Sequence, residues 1–281
     1  MLVRQGWGGK GQLEIYEVPD GLGGDTGPPI ATDNDIGPNV MDIAGGKYEG
    51  NEGDQLVVMW APRYRTIQEL VVYDVPTEVD GDTGPAIASD TYIGTTDQYM
   101  TVGNFDGDSD VELAVARYVQ AEDRYHLSIH DMPTSVGGDI GPPIASDDNI
   151  WKNIIAMAAA NYDHDSEDEL VVVRRKASGG HKLLIYDVPT EVGGNTGPPI
   201  ASDKSFGKHI IPCGVATGNF DNDPEPELAV VRTDPASGSH KLEIYDAPTE
   251  VGANTGPPIA RDDNIGKNIT TIGACEFVNP W

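Results

Sequence analysis

Basic residues are scarce in this chain: 18 lysines and arginines stand against 46 aspartates and glutamates, a net charge of −28 over 281 residues. That shortage argues against nucleic acid and anionic membrane as partners, because both need a basic surface. Cysteine is nearly absent. Cys213 and Cys275 are the whole complement, too few for a disulfide scaffold and without the local spacing of a zinc site. No apolar run approaches the roughly 18 residues of a membrane-spanning helix. No segment sustains the 3.6-residue period of an amphipathic helix. No signal peptide is visible at Met1, which implies a mature or trimmed form, or a chain not exported by that route. Glycine, at 34, and proline, at 21, are plentiful and imply many tight turns.

Those turns recur. TGPPIATD (26–33), TGPAIASD (83–90), IGPPIASD (140–147), TGPPIASD (196–203) and TGPPIARD (255–262) are copies of one string, at steps of 57, 57, 56 and 59 residues. Before it stand EIYEVP, VVYDVP, SIHDMP, LIYDVP and EIYDAP. QLVVMW, ELAVAR, ELVVVR and ELAVVR form a third series. Each unit reads as four short strands, exemplified by QYMTVGNF (98–105), ELAVAR (112–117), HLSIHD (126–131) and PIASD (143–147), with Gly, Pro, Asn and Asp at the joins. Four strands in a unit of this length match one blade of a β-propeller. The chain opens partway through a unit, from its second strand, and ends with ITTIGACEFVNPW, a lone first strand. The two partial units complement each other. The fold expected is therefore all-β: a single domain over 1–281, a five-bladed β-propeller of four-stranded antiparallel blades. Pairing of N- and C-terminal strands closes its ring, and the first blade is built from 1–37 plus 267–281. A stacked solenoid is the runner-up, but it would not need complementary ends.

Three units carry an acidic loop between first and second strands: NFDGDSDVE (104–112), NYDHDSEDE (161–169) and NFDNDPEPE (219–227). Like charges this close repel one another, so a cation cage is one explanation and three solvated turns the other. Alternate oxygens of a tight loop, closed by a final Glu, suit the six to eight oxygen ligands of Ca²⁺. The side-chain ligands expected are Asn104, Asp106, Asp108 and Glu112, with Asp110 giving a backbone carbonyl. The same roles fall to Asn161, Asp163, Asp165, Glu169 and Glu167, and to Asn219, Asp221, Asp223, Glu227 and Glu225. The copy at 47–55 has Lys47 and Gln55 at the outer ligand positions, so about three structural Ca²⁺ ions are expected and none there.

Repeats of the GNFDGD…ELAV kind resemble the FG-GAP/VCBS repeats of integrin-like propellers, over all five units. The departures are Asn at the first ligand position, Glu at the last, and five blades in place of the usual seven. The resemblance implies structural Ca²⁺, an extracellular or secreted setting, and functions such as sugar binding in lectins, adhesion, or appendage to polysaccharide-degrading enzymes.

Further positions repeat. Arg4, Arg117, Arg174 and Arg232 end second strands, with Trp60 in the remaining copy; Asp33, Asp90, Asp147, Asp203 and Asp262 end fourth strands; Tyr16, Tyr73, Tyr186 and Tyr245, with His130, lie near the ends of the third. One reading pairs Arg with Asp between strands and packs Tyr between blades. The other makes Arg117, Arg174, Arg232, Trp60, Asp90, Asp147 and Asp203 contacts for ligands in pockets between blades, since sugars need bidentate polar groups and an aromatic platform. Three functions follow: multivalent carbohydrate or glycoprotein recognition, a self-associating structural or adhesive module, and an enzyme. No catalytic constellation stands out, because the carboxylates repeat and the six histidines lack metal-type spacing. The expectation is a binding module and not an enzyme. Asn268-Ile269-Thr270 reads as a glycosylation sequon.

Overall fold

The computed structural model describes residues 1–5, 10–17, 21–47, 54–61, 67–76, 78–95, 98–108, 110–148, 150–221 and 223–274. Within them the chain folds into twenty strands and no helix. After β1 (Leu2–Gln5), β2 (Gly11–Ile15) and β3 (Ala31–Asp33) come four complete blades. The second holds β4 (Val40–Lys47), β5 (Asp54–Trp60), β6 (Ile67–Asp74) and β7 (Ala88–Thr95). The third holds β8 (Gln98–Gly103), β9 (Glu112–Val119), β10 (Arg124–Asp131) and β11 (Ala145–Asp147). The fourth holds β12 (Ile154–Ala160), β13 (Glu169–Arg175), β14 (His181–Tyr186) and β15 (Ala201–Asp203), and the fifth β16 (Ile210–Gly218), β17 (Glu227–Thr233), β18 (His240–Asp246) and β19 (Ala260–Gly266). The last strand, β20 (Ile269–Ile272), pairs antiparallel with β1, Leu2 opposite Ile272 and Val3 opposite Thr271. The first blade is thus β20-β1-β2-β3, and the protein is a five-bladed propeller closed by its own ends.

The innermost strands pack in the circle β4, β8, β12, β16, β20 and back to β4. Five blades bring these strands close together, and the sequence answers with small residues. The last position before the first–second loop is Gly46, Gly103, Ala160 or Gly218 in four blades, and the matching Cys275 of the first blade lies outside the described residues. A methyl group on Gly103 would sit 2.9 Å from the Ala159 side chain. The core lies between blades. Ala114 and Leu127 of the third blade pack with Met157, Leu170 and Leu184 of the fourth. The second strands are buried on both faces, as their unbroken apolar runs require.

The TGPPIASD repeat is an inter-blade clasp. Asp203, ending β15, accepts hydrogen bonds from the backbone N–H (3.2 Å) and hydroxyl (3.1 Å) of Thr255 in the next blade. Asp33 does the same with Thr83, Asp147 with Thr196, and Asp262 with Thr26 across the closure. Asp90 meets Ile140 and receives its N–H alone. The glycine after each of these residues has φ between 66° and 73°, a conformation that glycine adopts without steric cost. Asn or Asp two residues before that glycine accepts its N–H, at 2.7–3.1 Å. Each loop between third and fourth strands also straps onto the preceding blade, as where Ser202 N–H bonds to Glu250 O and Gly252 N–H to Ser202 O.

Candidate metal centres and the opposite face

The three acidic loops have one architecture. In the third blade the Asn104 Nδ2 donates to Asp108 O at 2.5 Å and its Oδ1 accepts from Gly107 N at 2.8 Å. Asp106 Oδ1 accepts from Asp108 N (3.1 Å), and Asp108 Oδ1 from Asp110 N (2.7 Å). Glu112, the first residue of β9, is buried, and its Oε2 accepts from Phe105 N at 2.6 Å. The fourth blade repeats this: Asn161 bonds to Asp165 O and His164 N, and Glu169 Oε2 accepts from Tyr162 N at 2.5 Å. In the fifth, Asn219 bonds to Asp223 O and Glu227 Oε2 accepts from Phe220 N at 2.5 Å. The sequence places these oxygens because each acid two residues on can receive the next N–H of a tight turn.

The result is three carboxylate trios, Asp106–Asp108–Glu112, Asp163–Asp165–Glu169 and Asp221–Asp223–Glu227. In each, one oxygen from every residue lies within 4.8 Å of the others. The aspartates are exposed and the glutamates buried. Burial, reinforced by the two neighbouring aspartates against the pull of the backbone N–H, pushes Glu112 and Glu169 up to about 7. Glu227 is raised for the same reasons. Proton affinity of this kind marks a site that favours positive charge. The donors are all hard oxygens, which suits Ca²⁺ or Mg²⁺ and not the soft-ligand metals.

The expected ligand sets divide in the structure. The Asp, Asp and Glu positions converge. Asn104, Asn161 and Asn219 staple the turn with their amides. Asp110, Glu167 and Glu225 cap the second aspartate through their N–H groups. Of the loop at 47–55, expected to lack metal, residues 48–53 lie outside the described residues.

Several acids escaped the sequence reading. Asp187 and Asp246 follow β14 and end β18; burial and then the nearby loop aspartates raise both. Their signal was the D of the repeated IYD. Asp168 leaves its own loop to accept from Asn104 N at 2.9 Å, and its N–H donates to Asn104 O, tying the fourth-blade loop to the third. Val111 and Pro226 hold the equivalent positions, so a search for repeats could not find it. At the ring centre Asp42 is buried. It accepts from Met100 N, Ile43 N and Thr271 Oγ1, and burial raises it to about 7. Cys213 lies against it as a buried thiol. Cys275 lies outside the described residues, as do Trp7 and Trp281.

The face opposite the loops corrects one expectation. Among the described residues no arginine pairs with a fourth-strand aspartate. Arg232 is buried, bonds to Glu243 at 2.6 Å and Lys208 O at 3.0 Å, and lies over the Phe206 and Tyr245 rings. Arg4 pairs likewise with Glu14. Asp90, Asp147 and Asp203, expected at ligand pockets, are buried and occupied by the clasps. Arg117 is exposed, Arg174 half-buried, and Trp60 half-buried with its indole Nε1 unpartnered.

Fold and loops together define a class: a five-bladed propeller with three acidic sites able to hold metal ions. The chain matches no protein-family model and no curated protein.

Proposed function

We propose that this protein is a calcium-stabilised extracellular binding module that recognises carbohydrate. The observation that carries the metal half is the threefold recurrence of one Asp-Asp-Glu trio, turn for turn, with its glutamate buried at a strand start. Like charges held this way are stabilised by a cation that binds the folded state only. The resemblance to FG-GAP/VCBS propellers supports Ca²⁺ and an extracellular setting. Carbohydrate recognition is supported by the rigid ring, by aromatic side chains among the cations between blades, and by the same resemblance. The repeated arginines and aspartates are unequally engaged, so recognition differs from blade to blade. Metal analysis of the dialysed protein should give about three Ca²⁺ per chain, from the three trios and the affinities open to such loops. A glycan array should show Ca²⁺-dependent binding. A metal-free protein with chelator-independent melting refutes the first half, and a blank array the second.

A second reading, self-association, has its own observation. Leu22, Val79, Val136, Val192 and Val251 are exposed at equivalent positions of the five straps, a repeated apolar rim that a second copy could cover. Light scattering across a concentration series distinguishes a monomer from an assembly.

A further inference from the structure

In the fifth blade Arg232 and Lys241 stand directly opposite each other on β17 and β18. Like charges placed so repel, and Glu243 relieves it by bonding to both, Oε2 to Arg232 at 2.6 Å and Oε1 to Lys241 at 2.5 Å. The fourth blade has the same cations in the same register, Arg174 opposite Lys182. The acid is missing: Leu184 stands where Glu243 does. Neither Arg174 nor Lys182 has a carboxylate partner among the described residues. The Arg174 Nε donates to Lys152 O at 2.8 Å. Lys182 is half-buried, and burial, then Arg174, then Lys204 disfavour its charge. Asp123, across the blade boundary, is occupied by Lys152 at 2.6 Å. Two like charges thus face each other in register with no acid between them.

A second substitution accompanies the first. Where the fifth blade meets the fourth, Gly207 lies against Arg232, and a methyl group there would sit 2.6 Å from its Nη1. The matching residue between third and fourth blades is Trp151, half-buried and stacked on Tyr186 with ring centroids 4.1 Å apart.

We infer that Arg174 and Lys182, beside Trp151, form a binding site for the carboxylate or sulfate of an acidic saccharide. The ligand supplies from outside the anion that Glu243 supplies from within. One isolated charge on an otherwise neutral sugar fits a two-cation clamp next to an indole. Densely charged polyanions do not, because the acidic remainder repels them. At physiological salt that repulsion is confined to about 8 Å, so the local clamp decides for a small ligand.

This site rests on the binding-module reading, and the test separates the two. The Ca²⁺-loaded protein is titrated calorimetrically with a disaccharide bearing one uronate, one bearing one sulfate, the neutral parent, and a di-aspartate peptide. Binding of either charged sugar, and not of the neutral one or the peptide, is expected; which one binds identifies the anion. Leu184→Glu installs the internal acid and Arg174→Gln removes half the clamp. Each should weaken binding by about tenfold to a hundredfold, the loss of one hydrogen bond to a charged group. Arg174→Gln should do so without changing the calcium-dependent melt, whereas Leu184→Glu, packed in the inter-blade core, also lowers Tm. Equal binding of the neutral sugar overturns the clamp and leaves carbohydrate recognition standing. Equal binding of the peptide overturns the saccharide assignment, and no binding of any charged sugar overturns the site. Wild-type affinity in Arg174→Gln does the same, even if Leu184→Glu fails to fold.

Discussion

Chelating divalent cations should destabilise the protein, and by more at high pH than at low. Each trio holds three carboxylate oxygens within 4.8 Å of one another. At that distance a pair of ionised groups repels by about 1 kcal/mol in water and about 3 to 4 kcal/mol at an effective dielectric of 20. The aspartates are exposed, so the screened value of about 1 kcal/mol applies to their pair, while the two pairs that involve the buried glutamate lie between the two limits. A cation present at a hundred times its Kd stabilises the fold by about 2.7 kcal/mol per site. Three sites then contribute about 8 kcal/mol, on the order of 20 °C in Tm.

The pH dependence follows from the glutamates. Burial raises Glu112 and Glu169 from 4.5 to about 7 in the metal-free fold. The folded state therefore binds more protons than the unfolded chain between about pH 4.5 and 7, and chelated stability falls as pH rises through that window. Bound metal needs the ionised carboxylates, so its contribution grows over the same interval. Melts with excess Ca²⁺ and with chelator, at pH 5.5 and pH 8, should show a narrow gap at the lower pH and a wide one at the higher. Calorimetry in buffers of different ionisation enthalpy should show protons released on binding at pH 7. Superimposable melts at pH 8 would refute the reasoning, and so would a gap that narrows with pH.

Other outcomes are expected. Asp108→Ala should remove one of the three ions by metal analysis, and about a third of the chelation shift, because each site binds by itself in this arithmetic. Asp203→Ala should cost about 3 to 5 kcal/mol in urea unfolding, since it strands the Thr255 N–H and hydroxyl and the Ser205 N–H. Asp90→Ala, which strands only the N–H groups of Ile140 and Tyr92, should cost about 1.5 kcal/mol less; equal losses would mean the hydroxyl bond contributes nothing. Removing residues 269–281 deletes the first blade's innermost strand and bares the edge of β1, so the product should aggregate in light scattering. Asp42 should retain its proton at pH 6, read from the carboxyl carbon by NMR, because its folded value lies near 7.

The sequence by itself determined the blade count, the strand order and the closure. A repeated unit folds the same way each time, and complementary partial units at the two ends leave one way to complete a ring. It determined the Asp-Asp-Glu trios too, because a turn's N–H groups and the acids that bind them are a few residues apart. The reading failed where partners come from different blades. Asp203 looked like a ligand contact, since nothing near it in the chain shows that Thr255 will use both its donors. Asp168 was invisible because the Asn104 it holds lies in another unit. Leu184 drew no notice as one apolar residue in an apolar strand. There the partners lie within one blade, β13 against β14. Strand pattern gives pairing but not the reach of three side chains to one another. Only the side-chain geometry of the fifth blade, where Glu243 bonds to both Arg232 and Lys241, shows that a leucine at 184 leaves two charges unanswered.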